Sequence, residues 1–283
     1  MGPLQPALNI RQEAGSGLRV GLRRADGTPI GGIYVQVYNQ ISDVSGNPAF
    51  GDPVSDGNTD NTGLISFKEA PGTYALKING LNGYTWGSPY NVKVAADHAT
   101  VVGVTLGRLT VGLEDADGKP LNQYVQVFRQ QADVSGAPAF ADAAADGYTQ
   151  NTGVIRFDLT PGVYALRISG LPGYPWGNQF NYGVSAGKTA QLTIVLGRIV
   201  VGVSDVSQKP ASRYVRVFSL QKDVNGKPAP KDQVSDGYTS GQTGLASFDL
   251  TAGDYAVAVD GFDPQLVSVA SGKTQTVRLT GAK

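Results

Sequence analysis

The chain has 283 residues, of which 41% are hydrophobic, and its 23 basic and 23 acidic side chains cancel. This balance excludes a net positive field that gathers nucleic acid, so we expect no nucleic-acid partner. The absence of cysteine excludes thiol catalysis and thiolate metal sites. No apolar run reaches the roughly 18 residues that cross a bilayer, and the first residues lack the basic and hydrophobic segments of a signal peptide.

Three copies of one module follow each other along the chain. Tyr34, Tyr124 and Tyr214 open equivalent Tyr-Val-(Gln/Arg)-Val segments at a spacing of 90 residues. A fixed long period sets the fold and the domain count together. The sequence therefore predicts an N-terminal arm and three modules, with boundaries at residues 1–16, 17–106, 107–196 and 197–283. The arm is either disordered or pairs as an edge strand with the first module or a neighbouring molecule.

The first strand of each repeat alternates aliphatic residues with polar or small ones, which is the pattern of a half-buried strand. Its inward residues are Leu109, Val111 and Leu113 in the second repeat, Leu18, Val20 and Leu22 in the first, and Ile199, Val201 and Val203 in the third. Val125 and Val127 predict a second strand. The polar residues from about 131 to 151 then predict a long connection between strands.

The second half of the module contains the remaining strands. Ile155 and Phe157 face inward on the third strand, and the Pro161-Gly162 turn introduces the fourth. We expect the tyrosine of the fourth strand to lie in the core, as Tyr74, Tyr164 and Tyr255 in the three copies. The last two strands carry Phe180, Tyr182 and Val184, then Leu192, Ile194 and Leu196. Six or seven short strands in about 90 residues predict a β-sandwich.

The motifs of the second repeat carry a resemblance to a known family. They are Asp-Ala-Asp-Gly-Lys-Pro-Leu, a Tyr-Val-Gln-Val strand, Thr-Gly-Val-Ile-Arg-Phe-Asp-Leu-Thr-Pro-Gly-Val-Tyr-Ala-Leu and a closing Ala-Gly-Lys-Thr segment. Their order resembles transthyretin-like modules, in particular carboxypeptidase regulatory-like and collagen-adhesin B-type domains, over roughly residues 17 to 280. The resemblance implies an all-β rod of three tandem transthyretin-like (prealbumin-like) β-sandwich modules. It also implies an accessory or stalk role in a secreted or surface protein.

One departure from this family concerns a covalent bond. Many B-type adhesin modules carry a Lys-to-Asn isopeptide cross-link between their first and last strands. In this chain, 18–23 and 109–114 contain no Lys, and 101–106 and 191–196 contain no Asn. We therefore predict no such bond in the first two modules.

The module boundaries contain no linker. Leu106-Gly107-Arg108-Leu109 and Leu196-Gly197-Arg198-Ile199 lead the last strand of one module directly into the first strand of the next. A flexible linker would need a Gly/Ser-rich or Pro-rich stretch, so we expect short and stiff joints. Strands rise about 3.3 Å per residue, which gives about 35 Å per module and a rod of roughly 100 Å.

Aromatic loops at residues 83–90 of the first repeat and 173–180 of the second are the main candidate binding site. Aromatic rings on a Gly/Pro-rich loop either stack on sugars or anchor a protein partner, or they fold back to cap an open end of the sandwich. The third repeat crosses the same place with a loop that is six residues shorter and has no Trp. We favour capping, with carbohydrate binding as the alternative. The candidate ligand-binding residues are Tyr84, Trp86, Tyr90, Tyr174, Trp176 and Phe180.

Aspartates recur at three positions of the polar connection in every repeat. Calcium favours six to eight oxygen ligands, which clustered carboxylates can supply. Aspartate before Gly or Ser also makes local turn hydrogen bonds, and the spacing is not that of a known calcium loop, so we favour turns over calcium. The candidate calcium ligands are Asp43, Asp52, Asp56, Asp133, Asp142, Asp146, Asp223, Asp232 and Asp236.

Catalysis finds little support in the sequence. The single histidine, His98, falls in a predicted turn where the other copies have Lys188 and Lys273, and no nucleophile and base can be assembled around it. We therefore expect a non-enzymatic extracellular or cell-surface protein without a cofactor, and calcium at the aspartates is the alternative. It acts as a rigid stalk, spacer or assembly subunit that associates with itself or other surface proteins. The alternative is a set of modules that bind polysaccharide through the Trp loops.

Overall fold

A computed structural model describes residues 8–82, 89–173 and 179–282 of the chain. The first module contains β1 (Leu8–Ala14), β2 (Leu18–Arg23), β3 (Tyr34–Ser42), β4 (Pro48–Asn58), β5 (Leu64–Phe67), β6 (Gly72–Ile78), β7 (Val92–Val94) and β8 (His98–Thr105). The second contains β9 (Gly107–Glu114), β10 (Tyr124–Ala132), β11 (Pro138–Tyr148), a 3₁₀ helix (Gln150–Thr152), β12 (Val154–Leu159), β13 (Gly162–Ile168), β14 (Tyr182–Val184) and β15 (Thr189–Val195). The third contains β16 (Gly197–Asp205), β17 (Tyr214–Lys222), β18 (Pro228–Tyr238), β19 (Leu245–Leu250), β20 (Gly253–Val259), β21 (Gln265–Val269) and β22 (Thr274–Ala282).

Each module is a sandwich of two sheets. The first sheet has the strand orders β1-β8-β2-β5, β12-β9-β15 and β19-β16-β22. Within it, β2 pairs in parallel with β8, β9 with β15, and β16 with β22. The second sheet is antiparallel, in the orders β4-β3-β6-β7, β11-β10-β13-β14 and β18-β17-β20-β21. The predicted fold, all-β with three tandem sandwich modules, is confirmed. Within the described ranges no helix is long and apolar enough to cross a membrane.

The inward residues of the alternating strands form one core in each module. Val125, Val127, Leu109, Val111 and Leu113 are fully buried in the second module. The same positions are also buried in the first and third modules. The period-2 pattern therefore predicted the core correctly, because one face of each sheet lies against the other sheet.

The tyrosine of β6, β13 and β20 is buried in every copy, as predicted. Tyr74, Tyr164 and Tyr255 are at most 6% exposed. Their hydroxyl groups donate to the carbonyl oxygens of Ala70, Thr160 and Thr251, four residues earlier, at 2.8, 2.6 and 2.7 Å. Burial raises the pKa of each phenol. The hydrogen bond satisfies the hydroxyl group, which lets a tyrosine close the sandwich at this corner.

The prediction of a long polar connection after the second strand is wrong. The region is a β-hairpin, and β11 (Pro138–Tyr148) pairs with β10 along most of its length. None of its residues is fully buried, and the register shifts at Val127/Phe128 and Phe128/Gln130. Periodicity could not reveal this strand, because only small, partly buried side chains such as Ala144 and Ala145 pack against the core and the register shifts interrupt the alternation.

The N-terminal arm forms an edge strand on the first module. Over Leu8–Ala14, β1 pairs antiparallel with β8 in continuous register. This confirms the edge-strand alternative for these residues. Beside this strand, Val102 and Val104 of β8 are 0% and 1% exposed, whereas the equivalent Leu192 and Ile194 of β15 are only partly buried. No described strand flanks the outer edge of β15 or β22.

Candidate functional site

The joint between the first two modules is closed by charges. Arg108 of β9 donates from Nε to Asp158 Oδ1 at 2.8 Å and from Nη2 to Asp158 Oδ2 at 3.2 Å. From the first module, Asp26 lies 3.4 Å from Arg108 Nη2, and Arg24 Nη1 donates to Asp158 Oδ2 at 2.9 Å. The hydrogen bonds that Arg108 donates to Asp158 raise the pKa of Arg108. Two arginines and two aspartates thus connect the first module to the second.

The joint between the second and third modules repeats this arrangement. Arg198 of β16 donates from Nε and Nη2 to Asp249 at 2.6 and 2.9 Å. Its Nη1 and Nη2 donate to the two carboxylate oxygens of Asp117 in the second module, both at 2.9 Å. The hydrogen bonds from Arg198 lower the pKa of Asp117. One guanidinium therefore holds a carboxylate of each module in bidentate geometry.

Backbone contacts reinforce both joints. Gly187 N–H donates to Leu106 O at 3.0 Å, and Gly272 N–H donates to Leu196 O at 3.1 Å. Both leucines are 3% exposed. A side chain at Gly197 would place its Cβ 2.2 Å from Ala270 O, so only glycine permits this approach of the strand to the following turn. The predicted absence of a linker thus coincides with a backbone fixed on both sides of the boundary.

The aromatic loops begin at these joints. Asn82 O, directly before the first loop, accepts from Thr160 N–H of the second module at 3.0 Å. Pro172 O, at the start of the second loop, accepts from Thr251 N–H of the third module at 3.1 Å. A Cβ on Gly173 would lie 2.1 Å from the hydroxyl oxygen of Tyr255. The start of each loop is therefore part of a joint.

Four of the six candidate ligand-binding residues lie outside the described residues: Tyr84, Trp86, Tyr174 and Trp176. The other two, Tyr90 and Phe180, lie at the ends of the loops, where their rings contact Phe50 and Phe140 at centroid distances of 5.2 and 5.0 Å. These contacts bring the end of each loop onto the outer face of the second sheet.

A pair of hydrogen bonds between a glutamine and an asparagine fixes the end of each aromatic loop. Gln130 Oε1 accepts from Asn181 N–H at 2.6 Å, and Gln130 Nε2 donates to Asn181 Oδ1 at 2.7 Å. Gln40 and Asn91 make the same pair of hydrogen bonds in the first module. Both asparagines have positive φ, a conformation that Asn adopts more readily than most residues. The third repeat has Leu220 in place of the glutamine, so its short loop has no such pair of hydrogen bonds.

The candidate calcium ligands are spread along the hairpins rather than gathered. Asp43, Asp133 and Asp223 occupy the hairpin turns, where Oδ1 of each accepts two backbone N–H groups at 2.8–2.9 Å. These hydrogen bonds lower the pKa of Asp43, with the one from Asn47 contributing most. The favoured turn chemistry accounts for these three residues.

The remaining candidate ligands lie on the return strands and are exposed: Asp52, Asp56, Asp142, Asp146, Asp232 and Asp236. Asp146 and Asp236 accept hydrogen bonds from the hydroxyl groups of Tyr124 and Tyr214 at 2.7 and 2.6 Å. In the part of the chain that the structure describes, no group of three or more His, Asp or Glu side chains could hold a metal ion. Calcium binding stays a prediction.

His98 lies at the start of β8 rather than in the predicted turn, because the arm extends the pairing of this strand down to Ala14. Its Nδ1 is 2.9 Å from Asp97 Oδ1, and its side chain is half exposed. The hydrogen bond from His98 lowers the pKa of Asp97.

Sequence reasoning missed the charges at the joints. A signal was present, since Arg108 and Arg198 follow the boundary glycines at equivalent positions, and Asp158 and Asp249 recur opposite them. The repeat comparison also shows that the first module has Gly17 and Lys68 at these positions, so the Arg–Asp pair occurs at the two boundaries between modules.

The chain matches no family model and no curated protein. Among solved structures it is similar to the TIE protein of Bacillus anthracis, with 17% identity over 96% of this chain and 51% of that chain and a TM-score of 0.26. It is also similar to the minor pilin of Streptococcus agalactiae, with 21% identity over 64% and 94% and a TM-score of 0.32. It is similar as well to BcpA, the major pilin subunit of Bacillus cereus, with 12% identity over 95% of this chain and 99% of that chain and a TM-score of 0.27. The chain spans about half the length of the TIE protein, and similarity at this level carries no argument about function.

Proposed function

We propose that this protein is a non-enzymatic rigid spacer or stalk of an extracellular or cell-surface structure. The observation that carries the proposal is the joint, which recurs with the same geometry at both module boundaries. One residue separates the last strand of a module from the first strand of the next, and a guanidinium links carboxylates on both sides. The extracellular placement rests on the resemblance of the modules to surface-protein modules.

The joints combine interactions that act on different degrees of freedom. The backbone hydrogen bonds to Leu106 and Leu196 resist separation of the modules at the crossing point. The arginine bridges lie to one side of that point and resist bending. Arg108 and Arg198 are about three-quarters buried, so solvent weakens these bridges less than it weakens exposed ion pairs. Together they fix the angle between consecutive modules.

Self-association is the second part of this proposal. Strand β1 covers the edge of β8, whereas β15 and β22 have an uncovered edge among the described strands. An uncovered edge presents unpaired backbone groups that a strand of another molecule can complete. We therefore include assembly with further copies or with other surface proteins as a role of the second and third modules.

Small-angle X-ray scattering of the full chain tests the spacer role. We expect a single extended particle with a maximum dimension of roughly 100 Å, as three modules of strand length in series require. A compact particle, or an ensemble of many lengths, would contradict the proposal.

Carbohydrate binding by the Trp loops is the second candidate function. The observation in its favour is that Tyr90 and Phe180 join ring clusters on the outer face of the second sheet, so the loops end on an aromatic surface. Binding in a glycan array that disappears after Trp86→Ala and Trp176→Ala would support it. Loss of stability without any loss of binding would support capping instead.

A further inference from the structure

Two groups of rings lie on the outer face of the second sheet in the second module. Val125 and Val127 of β10 are buried in the core, so Tyr124, Gln126 and Phe128 lie on the opposite face. Tyr124 contacts Tyr148 at a centroid distance of 5.0 Å, which forms the tyrosine group. Phe128 contacts Phe140, which contacts Phe180, at 5.1 and 5.0 Å, and these three form the phenylalanine group. We call the two groups the aromatic platform.

Polar side chains separate the two groups. Tyr124 and Phe128 are four residues apart on one strand, which places the groups about 13 Å apart. Gln126 lies between them and pairs with Arg167 on β13. The Arg167 guanidinium is 4.8 Å from the centroid of the Phe140 ring and 5.3 Å from that of Phe128. The platform is thus an alternation of ring faces and hydrogen-bonding groups.

The other modules hold only one of the two groups. The first module keeps the Tyr38, Phe50 and Tyr90 rings but has Asn58 in place of Tyr148. The third keeps the pair of Tyr214 and Tyr238, whereas Pro230, Gln265 and Ala258 replace Phe140, Phe180 and Arg167. These rings are not required by the fold, because each group is absent from one module with the same sandwich.

We propose that the aromatic platform of the second module binds an extended hexose polysaccharide. The rings stack on the apolar faces of sugar units, while Gln126 and Arg167 hydrogen-bond to hydroxyl or carboxylate groups between them. This inference deepens the second candidate function and moves its site from the loop tips to the sheet face.

The size of the platform argues against a protein as the occupant. A stable protein interface needs about 800 Å² on each partner with a contiguous apolar centre. The platform offers five rings, four of them already more than half buried, in two groups divided by polar residues. A narrow ribbon with alternating apolar faces and hydroxyl groups fits this pattern better than a broad protein surface.

Glycan-array binding by the full chain, followed by affinity electrophoresis in the polysaccharides that bind, tests the proposal. The array should contain neutral and acidic hexose polymers. The platform variant is Phe140→Leu with Tyr148→Leu, which keeps apolar volume and removes two ring faces. The control is Tyr238→Leu, which makes the same change at the equivalent position of the third module. We expect the platform variant to lose at least about tenfold in affinity and the control to bind like the parent chain.

Thermal unfolding of each variant separates binding from stability. Tyr148→Leu alone serves if the double variant unfolds, because Tyr148 is 57% exposed and not part of the core. Absence of binding to every polymer would overturn this inference and the second candidate function together. Binding lost in Trp86→Ala with Trp176→Ala but kept in the platform variant would overturn the platform alone. Neither result bears on the spacer role, which scattering measures independently.

Discussion

The two joints reach the same geometry with different charges. At the second joint, Arg198 is the one charged side chain among the described residues that bridges both modules, and it holds Asp117 and Asp249 with two hydrogen bonds each. At the first joint, the contact between Arg108 and Asp26 is a single one of 3.4 Å, and Arg24 adds a second bridge across the boundary.

This difference shows which features the two joints share and which residues vary between them. The second module has Asp115 where the first has Arg24, so the extra bridge has no equivalent at the second joint. The direct strand passage, the buried leucine and the close-approach glycine are common to both joints. In the proposed spacer, the backbone sets the position of the crossing, and the charges fix the angle in two alternative ways.

Adding a side chain at the second joint should have the largest effect. Gly173 has a φ of +78°, and a Cβ there would lie 2.1 Å from the Tyr255 hydroxyl, which is held by its bond to Thr251. Gly136 has a φ of +84° and nothing within 4 Å, so Gly136→Ala carries the same backbone strain without a clash. We expect Gly173→Ala to cost about 2 kcal/mol more than Gly136→Ala in urea unfolding. Equal costs would show that Tyr255 does not support the joint.

Removing one arginine should open the second joint more than the first. Arg198→Ala eliminates the ion pairs described between the second and third modules, whereas Arg108→Ala leaves the bridge from Arg24 to Asp158. We expect a loss of about 1 kcal/mol in coupling between modules for Arg198→Ala and a smaller loss for Arg108→Ala. Intermodule distance distributions from pulsed electron paramagnetic resonance measure this difference. A larger effect of Arg108→Ala would reverse our ranking of the joints.

A double substitution should make the two joints alike. Arg24→Ala combined with Arg108→Ala removes both bridges at the first joint, so its distance distribution should become as broad as that of Arg198→Ala at the second. Arg24→Ala alone is the matched control, with a smaller broadening. The comparison fails if the double variant is no broader than either single one.

Acid should loosen both joints by a smaller amount. The pKa of Asp117 is lowered by its hydrogen bonds from Arg198. Burial raises the pKa of Asp158, but hydrogen bonds from Arg108 and Arg24 outweigh it, so this pKa also lies below the ordinary 3.8. Because both pKa values are lowered, the stabilisation is complete above pH 3.8 and is lost as the pH falls through the folded-state values. Distance distributions should stay constant from about pH 7 to pH 5 and broaden only once the pH has fallen below the ordinary aspartate value of 3.8. Broadening near neutral pH would implicate other groups.

Most of the fold could be predicted from the sequence, because two features that define the sandwich are visible in it. Alternation marks every strand that faces the core, and the 90-residue spacing of Tyr34, Tyr124 and Tyr214 marks the copies. Sequence reasoning missed the hairpin strand Pro138–Tyr148, because none of its residues is fully buried and only partly buried alanines face the core. The joints were predicted as stiff from the missing linker, although their charges involve residues up to 134 apart, which spacing alone does not bring together.

The candidate site was less accessible to sequence reasoning. The aromatic loops stand out by composition, but their ends pack on rings such as Phe50 and Phe140, which lie on the strand that was predicted as a connection. Without that strand, the outer face of the second sheet could not be recognised as one surface. The acidic residues were visible, yet only the structure separates turn residues such as Asp43 from those on the return strands.

Pulsed electron paramagnetic resonance on the parent chain tests the rigid spacer most directly. The chain has no cysteine, and Val44, Val134 and Val224 are fully exposed at equivalent hairpin turns, one in each module. Spin labels on cysteines at Val44 and Val134 report on the first joint, and labels at Val134 and Val224 report on the second. The account predicts one narrow distance distribution for each pair. A broad distribution for either pair, as flexibly linked modules would give, would contradict it.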